Sequence, residues 1–246
     1  MKKLIGDVHT HTIVSGHAYG TIREMAKAAA DKNLQILGIS EHAPGIPGTV
    51  DPFYYLNLEV IPRELYGVKI IHGCEINVMN DGTLSLPQEY IEKLDYAIIG
   101  IHCQCYENQG REKNTENLIK CMRNEKVRFV SHPDDDHTPL NYEKLVQAAK
   151  EFNVALEVNN STLMKKEKRW NCIENYISML YFCEQYKVPI VINSDAHDPS
   201  YVGNFNLAVK LIEEQNMNEK LILNTEFDRL LDFLLKKSVW NHQIFE

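Results

Sequence analysis

Asp7-Val8-His9-Thr10-His11, near the start of the chain, and Asn193-Ser194-Asp195-Ala196-His197, near its end, decide how this sequence folds. Each segment closes a short apolar run and places two metal-grade side chains at i and i+2. Alternate residues of a strand point to the same side, so each pair presents both side chains together. Between these segments the pattern alternates. Strands are expected over 3–9, 34–40, 68–75, 95–101, 127–131, 154–159 and 188–194, and helices near 20–32, 55–66, 115–124, 142–152, 171–186, 203–215 and 226–237. The strands are Val- and Ile-rich and apolar through their length, as strands buried on both faces are. Helical spacing is plain at Ile22, Met25, Ala26 and Ala29, and Asn141 is placed to cap the helix at 142–152. Strict alternation means a parallel sheet with right-handed crossovers.

The ends of these strands carry His9 and His11, His42, Glu75, His102, His132, and Asp195 with His197. An open parallel sheet gathers its ligands at one switch point, whereas a closed barrel gathers them from all strands at one face. Ligands on six of the seven strands, the first and last included, therefore favour closure. A single buried His is more often a hydrogen-bonded core residue than a ligand. Many titratable groups converging on one place would repel and desolvate one another at a cost of many kcal/mol unless cations compensate them. Imidazoles with carboxylates suit Zn²⁺, Mn²⁺ or Fe²⁺, and the lack of a Cys ligand argues against a structural zinc of finger type.

Composition narrows the rest. A chain of 246 residues suits one large α/β domain spanning 1–246, and no linker or repeat divides it. The net charge of −8 argues against a sequence-independent nucleic-acid surface. No membrane span or signal-peptide apolar stretch is expected, which gives a cytoplasmic location by default. The six Cys show no C-x-x-C and read as small buried hydrophobes; Cys103-Gln104-Cys105 alone is a weak metal signal. The Pro- and Gly-rich loop 43–53 follows a ligand-bearing strand and is expected to wall the site.

At this point the residues resemble a family. Asp7-Val8-His9-Thr10-His11, Ser15-Gly16-His17, Ser40-Glu41-His42-Ala43-Pro44, Gly73-Cys74-Glu75, Gly100-Ile101-His102, Ser131-His132-Pro133, Glu157-Val158-Asn159-Asn160-Ser161 and Asn193-Ser194-Asp195-Ala196-His197 are similar to the motifs of the PHP (polymerase and histidinol phosphatase) superfamily. Length and the Glu157–Ser161 segment are most similar to its small bacterial YcdX-type phosphatases. The resemblance implies a distorted seven-stranded (β/α)7, TIM-like barrel holding three divalent cations, zinc first, with manganese or iron as alternatives. Carried over by position, His9, His11, Glu75 and Asp195 would hold the first. Glu75 would bridge to a second held by His102 and His132, and His17, His42 and His197 would hold the third. The activity implied is hydrolysis of a small-molecule phosphomonoester by a hydroxide bridging two metals, with Glu75, Asp195 and His197 as the catalytic residues.

Several readings stay open beside it. Glu41, where Asp is commoner, is either a group orienting a ligand or an exposed acid. Arg169 either contacts a phosphate from the rim or belongs to the solvated run Lys165-Lys166-Glu167-Lys168-Arg169. Asn160 and Ser161 either contact substrate or cap a loop. His72, His137 and His242 receive no role. The competing functions are a metal-dependent amidohydrolase, for which His17 and His42 would be surplus, a phosphodiesterase or nuclease of PHP type, and a non-catalytic metal-binding regulatory domain. The oligomeric state is not readable from the sequence.

Overall fold

The computed structural model describes residues 1–235. The strands are β1 (Gly6–Thr10), β2 (Ile36–His42), β3 (Glu64–Leu65), β4 (Val68–Asn77), β5 (Tyr96–Gly100), β6 (Val127–Val130), β7 (Ala155–Asn159) and β8 (Ile190–Asn193). The helices are α1 (Ile22–Asp31), α2 (Gln88–Ile91), α3 (Arg111–Met122), α4 (Tyr142–Phe152), α5 (Asn160–Met164), α6 (Cys172–Tyr186), α7 (Asn206–Glu214) and α8 (Phe227–Leu235). Among the described residues seven parallel strands run in the order β1-β2-β4-β5-β6-β7-β8, and β3 adds an antiparallel turn of sheet to β4. His242 and the last two positions of the expected 226–237 helix lie outside the described residues.

The sheet curls until its first and last strands meet, as the strand-end ligands predict. The β1–β8 seam is held chiefly by side chains. Its backbone contribution is the bridge of Thr10 with Ala196, where His11 N donates to Ala196 O at 2.9 Å. Below that, Val8 N donates to Asn193 Oδ1, and the buried Asp7 carboxylate accepts from Ser194 N and Ser194 Oγ. Asn224 spans the seam further down: its amide donates to the carbonyls of Gly6 and Ile192, and its oxygen accepts from Ile192 N. The result is a barrel nearly closed, with polar side chains replacing a backbone ladder.

Two apolar layers hold it. The outer one lies between the sheet and the surrounding helices. The inner one fills the barrel with Val8, Ile36, Ile71, Tyr96, Ile98 and Phe129, and α8 plugs its lower end with Leu230, Phe233 and Leu234. Tyr96 takes the volume that a side chain on Gly73 would need: a Cβ there would lie 2.5 Å from the Tyr96 ring. A register shift between Asp7 and Thr10 turns the strand as it leaves the barrel. Val8 therefore packs inside while His9 and His11 also face the barrel mouth.

Local signals act where expected at α1, whose Thr21–Glu24 capping box is formed, and at α4, where Asn141 accepts from Lys144 N. The helix expected near 55–66 is not there. Pro52–Val60 forms 3₁₀ turns capped by Asp51, Pro62 stops any continuation, and Tyr66-Gly67, both with positive φ, make the two-residue turn between β3 and β4. No helix among the described residues is long and apolar enough to cross a membrane.

Two predictions follow from this packing. Asn224→Ala leaves three buried backbone groups without partners and should cost about 2–4 kcal/mol in urea unfolding; a loss below about 1 kcal/mol would mean that the seam does not need its side-chain rungs. His72 is buried on β4 with neither ring nitrogen hydrogen-bonded, and burial, then Arg63, push its pKa down from 6.5 to about 4. Its neutral form therefore favours the fold fully above pH 6.5, and that share is lost as pH falls towards 4, by up to about 3 kcal/mol. In metal-free protein, His72→Leu should lose stability less steeply than the native chain over that window, and parallel curves would count against it.

Candidate metal centre

The barrel mouth is organised around Glu75, at the upper part of β4 and fully buried. Its Oε2 lies 2.9 Å from His42 Nδ1, 3.3 Å from His9 Nε2 and 3.6 Å from His11 Nε2. Its Oε1 lies 2.9 Å from His132 Nε2 and 3.2 Å from His102 Nε2 and accepts from Ser131 Oγ. Asp195 Oδ1 stands 3.3 Å from His11 Nε2, 3.4 Å from His197 Nδ1 and 3.7 Å from His9 Nε2. His17, in the loop after β1, meets His197 nitrogen to nitrogen at 3.2 Å. The nine residues singled out in the sequence are thus brought together. Seven of them form three overlapping groups by distance, His9, His11 and Asp195; His42, Glu75 and His102; and His11, His42 and His197, with His132 beside Glu75 and His17 beside His197. His42 therefore adjoins Glu75 as well as His197, a sharing that the resemblance did not imply.

Most of these imidazoles are aimed by a partner on the ring nitrogen that faces away from the centre. His9 Nδ1 meets Glu157 Oε1 at 2.8 Å, and an ionised carboxylate only accepts, so Nδ1 carries the proton. His102 Nδ1 meets Asn77 Oδ1 at 2.8 Å, while the Asn77 amide donates to Ala43 O and Pro44 O, which fixes its orientation. Ser15 Oγ gives its hydrogen to Glu41, so His11 Nδ1 must be the donor to Ser15. His197 Nδ1 donates to the carbonyl of Asp195. In each ring Nε2 is left for the centre. Buried His9 Nε2, His11 Nε2, His42 Nδ1, His102 Nε2 and Glu75 Oε2 have no hydrogen-bond partner. Groups so close without hydrogen-bonding one another are arranged as ligand atoms around shared points, and the donor set, imidazole with carboxylate, suits divalent zinc, manganese or iron.

Electrostatics agree. Burial lowers the pKa of His11, His102 and His197, which keeps them neutral, as ligands must be. Burial also disfavours the charges of Glu75 and Asp195, but the facing imidazoles outweigh it and hold both carboxyls well below their usual range. Burial opposes a proton on His9, yet Glu157, Glu75 and Asp195 together raise its pKa well above the ordinary value. A cation at His9 Nε2 would replace that proton. Two of the residues sit in left-handed backbone, Asp195 at φ 53° and His132 at φ 29°. That strain costs of order 1–3 kcal/mol each and is a mark of functional sites.

Two buried acids support the imidazoles: Glu157, to which the sequence assigns no role, and Glu41, for which it leaves two readings. Glu157 binds His9 and Asn193 through one oxygen and His132 N and Asn159 through the other. In the sequence it is a charged residue inside an apolar strand, at the head of the Glu157–Ser161 segment, and neither feature names its partners. Glu41 is buried and accepts from Thr12 and Ser15, so it orders the loop that carries His17 and positions His11. Of the substrate-side residues, Ser161 lines a cleft that reaches Asp195 and His197. Asn160 turns its oxygen onto Leu207 N and Ala208 N at the start of α7. Arg169 pairs in bidentate fashion with Asp134 and donates to His132 O, beside a cavity of about 280 Å³ that His102 and His132 also line. The loop 43–53 touches the site through Ala43 and Pro44, which hold Asn77.

The family model described as PHP domain matches residues 7–161. A probable phosphatase of Clostridium novyi is 37% identical over 236 residues, which is 96% of this chain and 96% of that protein. A histidinol phosphate phosphatase from Lactococcus lactis, solved with zinc, L-histidinol and phosphate, superposes with a TM-score of 0.60 at 15% identity, covering 87% of this chain and 94% of that one. A chain of archaeal ribonuclease P solved with mature tRNA gives 0.57 at 17% identity, covering 96% and 95%. At such identities these two solved structures share the fold.

Glu157→Gln turns an amide donor towards groups that already donate. It should lower metal affinity about 10–100-fold, measured by competition with a chelating dye, and reduce unfolding stability by about 1–3 kcal/mol. Native affinity in the variant would show that Glu157 does not orient His9.

Proposed function

From the premise that this chain belongs to the PHP domain family, we propose that it is a metal-dependent phosphatase acting on a small-molecule phosphomonoester, with three divalent cations at the barrel mouth. The observation that carries the proposal is the convergence on Glu75 of buried imidazole nitrogens left without hydrogen-bond partners. The three overlapping ligand groups, with His132 on Glu75 and His17 on His197 beside them, offer enough donors for three ions. Zinc is the first choice, because neutral imidazole dominates the donor set.

Such cations supply Lewis acidity, lowering the pKa of water towards neutrality and taking up charge on phosphoryl oxygens. The residues do the rest. Glu75 and Asp195, both held ionised, give the mouth a negative charge that would repel a phosphate dianion, so anion binding depends on the loaded site. Arg169 at the rim is committed to Asp134 and leaves this balance unchanged. The partners of His9, His11, His102 and His197 fix ring orientation and tautomer before substrate arrives, so little reorganisation is needed during the reaction. Solvent reaches Asp195 and His197, whose side chains are 12% and 24% exposed, and also His102, 13% exposed, while His9 and His11 are sealed. The net charge of −8 weighs against a polynucleotide substrate.

Phosphate release from a panel of monoesters should be abolished by a chelator and restored by zinc or manganese. Glu75→Gln should lose bound metal and activity together, by about a hundredfold or more. A metal-replete native protein that releases no phosphate from any monoester, or that cleaves only single-stranded DNA, would overturn the proposal.

A further inference from the structure

A second cleft, of about 330 Å³, opens beside the metal centre and shares Asp195 and His197 with it. Whatever occupies it would adjoin a phosphoryl group held at the centre. Its other walls carry three large side chains with exposed apolar surface: Tyr19 is 78% exposed, Met164 47% and Tyr201 46%. One exposed apolar residue on a surface is ordinary; three converging on a cleft that meets a candidate active centre are the mark of a ligand pocket.

These walls are built rather than loosely placed. Tyr19 N donates to His197 O at 2.8 Å, which ties the loop after β1 to the loop after β8. The next residue, Gly20, lies so close to Pro199 that a Cβ would come within 2.7 Å of its ring. Tyr201 closes a 3₁₀ turn in which the Asp198 carboxylate accepts from Ser200 N. Met164 ends α5, and its sulfur accepts from Asn204. Lys165 and Asp198, also in the wall, are opposite in charge and offset one another, and the remaining charge, Asp195, faces the imidazoles of the metal centre. The contrast is with the cavity on the far side of the centre, walled by His102, His132, Asp134 and Arg169.

We infer that this cleft receives the leaving group of the ester, and that this group is uncharged and carries an aromatic or comparably flat apolar ring. The inference rests on the phosphatase reading and names its substrate class. Tyr19, Met164 and Tyr201 would give contact area to the ring, and Ser161, at the cleft's edge, is placed to meet a polar substituent.

The test pairs 2-phenylethyl phosphate with ethyl phosphate, whose alkoxide leaving groups are chemically alike, so a difference reports binding of the ring. The zinc-loaded full chain should show kcat/KM at least about tenfold higher for the phenyl ester, expressed in KM. Calorimetric binding of benzylphosphonate against methylphosphonate, neither hydrolysed, should show the same order of preference. Tyr19→Ala with Tyr201→Ala should bring both ratios close to one, while Tyr19→Phe with Tyr201→Phe should keep them. Phe53→Ala, an exposed aromatic outside the cleft, should leave the ratios as in the native chain. Ratios near one in the native protein, or ratios that survive loss of both rings, would overturn the inference. Release from other monoesters but from neither of these two would overturn the inference alone; release from no monoester would instead overturn the phosphatase reading, and the phosphonate pair would still decide whether the cleft prefers a ring.

Discussion

A carboxylate with no exposure to water, ringed by five imidazoles, is the interaction on which the upper half of this barrel depends. Burying Glu75 as an anion would cost several kcal/mol if nothing answered its charge. The answer comes from β1, β2 and the segments after β5 and β6, and therefore requires the sheet to curl. Each imidazole must in turn be held, and the holders are buried polar groups: Glu157 on β7 for His9, Asn77 on β4 for His102, and Ser15, in the turn after β1 and backed by Glu41 on β2, for His11. A half-satisfied network of this kind would be worse than an apolar core, so the whole set stands or falls together.

That coupling divides the molecule. The lower barrel is a close-packed apolar plug, where Tyr96 fills the room beside Gly73 and α8 covers the floor. Arg128, buried on β6, fastens the last described turn of α8 by donating to Leu234 O. The upper barrel contains the positive-φ residues His132 and Asp195 and the unpartnered ligand atoms. Close apolar packing fills one end and unpartnered polar groups gather at the other, the usual partition in barrels whose chemistry sits at the C-terminal ends of the strands.

The strands and the side chains gathered at the barrel mouth were legible because both are periodic or positional: apolar runs of the right length, six of the seven ending in a metal-grade side chain. The supports were less so. Glu157 looks like one polar position in an apolar strand, and nothing local says that its two oxygens meet residues from β1, β6, β7 and β8. Asn160 stands beside Ser161 in the sequence, yet one caps α7 and the other lines the cleft, because a short helix begins between strand and loop and sends neighbouring side chains apart. The stretch 55–66 has helical spacing, but Pro62 and the left-handed Tyr66-Gly67 turn override it. Asn224 could not have been found locally, since its partners on Gly6 and Ile192 are distant in sequence.

The seam between β1 and β8 ties these points together. It is the weakest backbone join in the sheet, and it is also where His9 and His11 face Asp195 and His197. A cation shared by His9, His11 and Asp195 would link the first strand to the last across that gap, adding ligand bonds where hydrogen bonds are fewest. Metal binding and barrel closure would then favour each other, since a ligand that binds only the folded arrangement stabilises it. The seam's side-chain rungs, Asp7, Asn193 and Asn224, hold the two strands in register without the ion and so keep its ligands close enough to receive one. A fully laddered seam would bring backbone amides into the space those rungs now occupy; the polar rungs keep the join closed while leaving the mouth above it to the ligands.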